Sequence, residues 1–317
     1  MPATLHFERV GTFKKLADKT AVVGGLPNRL NEDPRLYGEL ENELDLNRGC
    51  EGFRDEGYGD LFYSFFDYII RASKQGTPLK EVISADFISN RRNLITFAAS
   101  AFSFKGNQVI RALRKDGVIF LCDRKSENDW INYDGTGYKF EQYMTLKDDG
   151  EPHEEDERVS NAECVKSVLR TTVKSGKEEM KVFYAAEIDT MDVNKEFGEI
   201  KTTSLSHNDW IEKKGLDHYL QSYLGNVSYI IKGYREGNLV KQVDRIETDS
   251  IPDMGGVNWT PERCRDKLFE ILREIKNRLR EDDKALIITV KGTNVYYRPE
   301  FAENCHFVGQ QFLEYFH

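Results

Sequence analysis

Two short strings constrain this chain more than any other feature: Glu187-Ile188-Asp189 and Glu199-Ile200-Lys201, with Asp189 and Glu199 ten residues apart. Each follows an apolar or small stretch, Val182-Phe183-Tyr184-Ala185-Ala186 before the first and Phe197-Gly198 before the second, so each reads as part of a strand. Side chains alternate faces along a strand, and residues two apart share a face with Cα atoms roughly 6.5–7 Å apart. The first string therefore sets two carboxylates side by side, and the second sets a carboxylate beside an ammonium. Clustered carboxylates repel one another and are costly to desolvate unless a cation joins them. A divalent metal is such a cation, and a lysine beside it can offset negative charge on a phosphate.

Taken singly, Glu-x-Asp more often marks a solvated strand face than a metal site, and Glu-x-Lys is ordinarily a surface ion pair. Together they say more. The stretch from Asp189 to Glu196 reads as a polar turn, and a hairpin closing there brings Asp189 alongside Glu199. An acid, a short gap and then Glu-x-Lys is the skeleton of a large class of metal-dependent phosphodiester nucleases.

A chain of 317 residues can bury one large core or two modest ones. Its formal charge of −9 argues against broad clamping of a nucleic-acid backbone, but allows a local pocket in which metals supply the positive charge. Cys50, Cys122, Cys164, Cys264 and Cys305 lack metal-like spacing, and their odd number fits a reducing, intracellular compartment. The N-terminus lacks a cationic-then-apolar signal segment, and the most apolar run, Leu61 to Ile70, is short and carries Asp67. A soluble protein without a membrane span is expected.

Residues 1–50 read as irregular, with Gly24-Gly25 as a turn, because no Gly-Lys-Ser/Thr follows to make a phosphate loop. Helices are expected over 58–74, over 90–103 with a cap at Ser89 or Asn90, over 208–223, and from Thr260-Pro261 to about 280. Strands are expected over 117–121, 138–144, 166–173, 181–189 and 199–203. Two hairpins follow, 227–234 with 239–246 about Gly237-Asn238, and 285–291 with 295–298 about Gly292-Thr293-Asn294. Residues 146–163 are strongly acidic and aperiodic, and read as a mobile surface loop within a single catalytic domain spanning 1–317. The irregular alternation of strands and helices indicates an α/β (α+β) fold with mixed sheets flanked by helices.

Upstream of the paired strings stands Gly137-Tyr138-Lys139-Phe140-Glu141, and further upstream Phe87-Ile88-Ser89-Asn90-Arg91-Arg92-Asn93-Leu94. With the strings, these resemble the signature of the decapping exoribonuclease (DXO) family: an arginine on an early helix, then Gly-φ-x-φ-Glu, Glu-φ-Asp and Glu-φ-Lys, where φ is apolar. Gln221-Ser222-Tyr223-Leu224 and Gly233-Tyr234-Arg235 resemble two further segments of that family. The matches run from about residue 85 to 270. The resemblance implies two mixed β-sheets flanked by helices, related to the D-(D/E)XK nuclease class. It also implies roles. Glu141, Asp189 and Glu199 would ligate the metals together with the carbonyl oxygen of Ile200, and Glu187 would act on a metal directly or through water. Lys201 and Gln221 would orient the attacking water or the scissile phosphate. The motif selects Arg91 over Arg92 as the holder of substrate phosphate.

Hard oxygen ligands suit Mg²⁺ or Mn²⁺, and two such ions about 3.5–4 Å apart could serve an in-line displacement. The activity implied is hydrolysis at a single-stranded RNA 5′ end: removal of incomplete or nucleotide-cofactor caps, of pyrophosphate from a 5′-triphosphate, and 5′–3′ degradation. Because fungal members of the family partner a nuclear 5′–3′ exonuclease, such a partner and a location in the nucleus, the cytoplasm or both are implied as well. A chain acting chiefly as adaptor or regulator of that exonuclease is the alternative, and a DNA-directed nuclease is a third reading that the net acidity disfavours.

Overall fold

A computed structural model describes residues 1–57, 60–102, 104–122 and 134–317, with the backbone alone at 104–106. In chain order the strands are β1 (Thr4–Lys15), β2 (Ala21–Val23), β3 (Arg29–Leu30), β4 (Gly38–Asp45), β5 (Phe87–Asn90), β6 (Phe104–Lys115), β7 (Val118–Cys122) and β8 (Thr145–Leu146). They continue as β9 (Cys164–Ser175), β10 (Glu178–Ile188), β11 (Thr190–Met191), β12 (Phe197–Thr203), β13 (Tyr229–Glu236), β14 (Leu239–Glu247), β15 (Lys284–Gly292) and β16 (Asn294–Phe301). The helices are α1 (Tyr63–Arg71), α2 (Leu79–Ile83), α3 (Arg91–Ala99), α4 (Thr136–Met144), α5 (His207–Gly225), α6 (Pro261–Arg278) and α7 (Gln310–Glu314).

Among the described residues the strands form two mixed sheets. The larger has the order β16-β15-β6-β7-β5-β10-β9-β1-β2, and the smaller β4-β14-β13-β12-β11-β3-β8. Helices α3, α5 and α6 pack between and beside them. Leu94, Trp210, Leu220 and Leu272 share one buried cluster with Tyr184 and Leu169 of the larger sheet and Ile230 of the smaller. The far face of the larger sheet is closed by Phe65 and Phe66 of α1 with Phe183 and Phe120, and by Phe312 of α7. The far face of the smaller sheet is closed by α4, whose Phe140 and Met144 pack with Ile200, Ile231 and Val243. Side chains this size contribute roughly 1.5–3 kcal/mol each when fully buried.

Helix starts follow their sequence signals. Asn90 caps α3 by accepting from the Asn93 N–H at 2.9 Å, and Thr260 caps α6 with Pro261 in its first turn. The expected hairpins about Gly237 and Gly292 form as β13–β14 and β15–β16. Positions 58 and 59 of the first expected helix, and 103 of the second, lie outside the described residues.

Three expectations are corrected. Residues 1–50 are not irregular: β1 is a twelve-residue strand paired along β9, some 160 positions away, and β4 pairs with β14. Leu5 and Phe7 alternate with exposed residues, but the exposed run Glu8 to Val10 and the register shift before Gly11 break the pattern, and the partner strand lies far along the chain. Residues 138–144 are helical. Their aromatic content suggests a strand, but the buried positions are Thr136, Lys139, Phe140 and Met144, which share one side of a helix, whereas a strand would put Lys139 on the face opposite Phe140 and Met144. Lys139 is fully buried and donates to the Gln142 Oε1 at 3.1 Å. Finally, the expected hairpin does close about Asp192 and Glu196, with Thr190 opposite Gly198 so that Asp189 comes alongside Glu199, but it is β11 and not β10 that pairs with β12. β10 belongs to the larger sheet and β12 to the smaller, and the chain crosses between them through β11, which pairs antiparallel with β12.

Candidate active site

That crossing builds the site. Asp189 is the residue just beyond β10, and its Oδ2 accepts the Ile200 N–H of β12 at 2.8 Å, tying the end of one sheet to the other. Glu199, on β12, is 2% exposed and faces α5. Its Oε1 accepts from the Lys201 ammonium at 2.7 Å and from the Gln221 amide on α5. Its Oε2 accepts from Arg91 at the start of α3, at 3.3 Å. The same Arg91 nitrogen donates to the Gln221 carbonyl at 3.0 Å, and the Lys201 ammonium lies 3.5 Å from the Asp189 carboxylate. Two glycines permit this closeness. A Cβ at Gly198 would stand 2.2 Å from the Tyr229 ring, and one at Gly225 would stand 2.7 Å from the Arg91 guanidinium.

Five of the residues singled out in the sequence thus form one hydrogen-bonded cluster: Arg91, Asp189, Glu199, Lys201 and Gln221. Glu141, from α4, faces the same cluster and senses the charges of Asp189, Lys201, Glu187 and Glu199. Glu187 stays exposed, bordering a cleft of about 280 Å³ that Glu141 and Asp189 also line. Its cross-strand neighbour Lys166 is turned onto Asp60 and Ser64. Ile200 is buried between its two polar neighbours on β12.

The electrostatics follow from burial and like charge. Burial, then the charge of Asp189, pushes the Glu141 carboxyl well above its ordinary range. Burial, then the charge of Glu199, pushes Asp189 up to about 7. Burial acts on Glu199 in the same sense, but Lys201 and Arg91 outweigh it and hold that carboxyl below its ordinary value. For Lys201 burial is likewise outweighed, by Glu199, Asp189 and Glu141, and the ammonium is held above its usual value. Negative charge therefore exceeds its local compensation. Among the described residues no three acidic, His or Cys side chains are drawn into a closed cage, as expected of carboxylates that repel one another while Lys201, Gln221 and Arg91 occupy Glu199. The donors are all oxygen and under-neutralised, which fits a hard divalent cation and not zinc.

Sequence reasoning missed the rest of the cleft wall. Lys14, Asn28, Tyr138, His153, Asn161 and Glu163 line it, drawn from β1, the loop before β3, α4 and the acidic segment. Their separation in sequence left no local signal. Of the two histidines nearest the motifs, His218 accepts from the Trp210 indole N–H at 3.1 Å, and burial lowers its pKa to about 3, so it is a neutral packing partner. His207 stands 3.2 Å from the Tyr234 hydroxyl.

A Glu-apolar-Lys strand beside an Asp-ended strand, with a helix-borne glutamate facing both, defines a nuclease of the PD-(D/E)XK class. The description "RAI1 like PD-(D/E)XK nuclease" matches residues 27–311, and the chain belongs to that family. It is 29% identical to decapping nuclease dom-3 of Caenorhabditis elegans, over 86% of this chain and 75% of that protein. It is 24% identical to decapping nuclease RAI1 of Kluyveromyces lactis, over 70% of this chain and 67% of that one. Solved structures share the fold. Candida albicans Rai1 in complex with pU5-Mn²⁺ aligns with a TM-score of 0.72 at 20% identity, covering 99% and 95% of the two chains. Scheffersomyces stipitis Rai1 in complex with (3'-NADP)⁺ and calcium aligns with a TM-score of 0.76 at 16% identity, covering 99% and 96%.

Proposed function

We propose that this chain is a divalent-metal-dependent hydrolase of single-stranded RNA 5′ ends. It removes incomplete or nucleotide-cofactor caps and 5′-triphosphates, and degrades the exposed strand 5′ to 3′. The observation that carries the reading is the convergence of Glu141, Asp189 and Glu199 with Lys201 and Gln221 at the junction of the two sheets, in a chain of this family. The names of its relatives, and the pU5-Mn²⁺ complex of the Candida albicans protein, support the substrate and the metal.

Glu141, Asp189, Glu199 and the Ile200 carbonyl would hold Mg²⁺ or Mn²⁺, with Glu187 at the cleft border acting directly or through water. When bound, two such ions lower the pKa of an attacking water and stabilise the leaving oxygen. Lys201 keeps its proton under the field of three carboxylates and so presents a cation to a nonbridging phosphate oxygen. Gln221 donates to Glu199 and can turn its amide toward water or phosphate once that carboxylate is engaged elsewhere. Arg91 braces Glu199 and the α5 backbone, and its guanidinium would hold substrate phosphate.

An intracellular site of action, in the nucleus, the cytoplasm or both, belongs to the same proposal, supported by five cysteines none of which is disulfide-bonded. Association with a 5′–3′ exonuclease, as the resemblance implies, belongs to it too. No helix among the described residues is long and apolar enough to cross a membrane.

The test incubates the protein with Mg²⁺ or Mn²⁺ and RNAs bearing triphosphate, unmethylated-cap, NAD-cap or monophosphate ends, and identifies the products. Release of cap or pyrophosphate that vanishes in Glu187→Ala or Asp189→Ala supports the reading. No turnover of any end, with exonuclease binding intact in those variants, would overturn it in favour of an adaptor.

A further inference from the structure

The acidic segment 146–163 forms one wall of the cleft, and α4, the helix carrying Glu141, holds it in place. The Lys139 ammonium donates to the carbonyls of Glu154 at 3.4 Å and Glu157 at 3.5 Å, and the Gln142 amide donates to that of Arg158 at 3.2 Å. His153 sits in this wall and lines the cleft together with Glu141, Glu187 and Asp189. Its Nδ1 is 2.9 Å from the Glu157 carboxylate, its side chain is 12% exposed, and its Nε2 is buried without a hydrogen-bond partner. An orphaned polar atom at a site wall is costly and calls for a partner that arrives later.

The surroundings select that partner. Lys14, the other basic residue among the described side chains of the wall, is ion-paired to Glu163 at 2.6 Å, so this side of the cleft is acidic. A phosphate there would meet Glu157 and Glu163, whereas a neutral hydroxyl would not be repelled. With Nδ1–H donating to the Glu157 carboxylate, Nε2 is left with a lone pair, to which a hydroxyl can donate. We propose that His153 is a specificity-determining residue whose Nε2 binds a ribose 2′-hydroxyl of the strand in the cleft, so that the acidic segment discriminates RNA from DNA. This rests on the reading of the cleft as an RNA 5′-end site. The 2′-hydroxyl is the group that separates the two nucleic acids at a given position.

The test compares His153→Asn with His153→Gln. Asparagine places its amide where Nδ1 lies and keeps Glu157 bonded, while glutamine places its amide where Nε2 lies. Each protein is assayed with Mn²⁺ on 5′-triphosphate pentanucleotides that are all ribose, singly 2′-deoxy at each of the first three positions, or all deoxy. Binding of the same oligonucleotides is read by fluorescence anisotropy in Ca²⁺. The wild type should prefer ribose at one position, His153→Asn should lose that preference by roughly threefold to tenfold, the scale of one neutral hydrogen bond, and His153→Gln should keep part of it. An unchanged ribose-to-deoxy ratio in His153→Asn overturns the inference, as does an equal loss on both sugars, which would mark a phosphate contact or a structural role. Absence of turnover in the wild type would refute the 5′-end activity instead, and the binding ratio would still report on His153.

Discussion

Replacing Asp189 by asparagine should stabilise the metal-free protein while abolishing its activity, and the two effects have one cause. Asp189 is held at about 7 by burial first and by the charge of Glu199 second, against an ordinary value near 3.8. Between those values the folded chain binds a proton that the unfolded chain has released, so metal-free stability falls as pH rises through the window. Full ionisation at pH 8 costs the fold about 4 kcal/mol, and at pH 5 the same group costs only about 1–2 kcal/mol. Asparagine can keep the bond from the Ile200 N–H and carries no charge at either pH. Lys201 keeps Glu199 at 2.7 Å, so no cation is orphaned. The advantage of Asp189→Asn over the wild type should therefore grow by about 2–3 kcal/mol between pH 5 and pH 8. The assay is urea unfolding in EDTA at both values. His218, buried and neutral with its pKa lowered to about 3, adds stability as pH rises toward 6.5, but it is common to both proteins and cancels in the difference. Saturating Mn²⁺, at a hundredfold its dissociation constant, should add about 2.7 kcal/mol to the wild type and much less to the variant. An advantage that does not change with pH, or a variant less stable than the wild type at pH 8 in EDTA, would refute the account of Asp189 as an under-compensated buried carboxylate.

Lys201→Met removes the cation shared by Glu199 and Asp189; single-turnover cleavage should fall by about a hundredfold or more, with Mn²⁺ still binding by calorimetry. Arg91→Met strips one donor from Glu199 and another from the Gln221 carbonyl. Mn²⁺ affinity should drop roughly tenfold, as for loss of a group that orients a ligand, and an unchanged calorimetric constant would remove Arg91 from that role. Gly198→Ala drives a methyl into the Tyr229 ring and should cost about 1–3 kcal/mol in urea unfolding.

What was legible in the sequence was what local chemistry encodes. Thr260-Pro261 starts a helix because a hydroxyl caps an orphan N–H and proline needs no donor there. Gly237-Asn238 turns a hairpin because its backbone can take the tight turn. The spacing of Glu187, Asp189, Glu199 and Lys201 placed carboxylates and an ammonium together because strand side chains alternate. The tertiary structure decided the rest. Phe140 and Met144 are equally compatible with strand and helix until the smaller sheet offers one buried face to both, and that choice brings Glu141 to the site on a helix. β1 exists as a strand because β9 supplies its hydrogen bonds from far along the chain. Most of all, sequence spacing could bring Asp189 near Glu199, but only the packing of two sheets about α3 and α5 could add Arg91 and Gln221 to the same carboxylate and raise Asp189 toward neutrality. Short-range periodicity reports the conformation of one segment; a buried charge cluster is set by distances between segments, and those follow from how the sheets and helices pack.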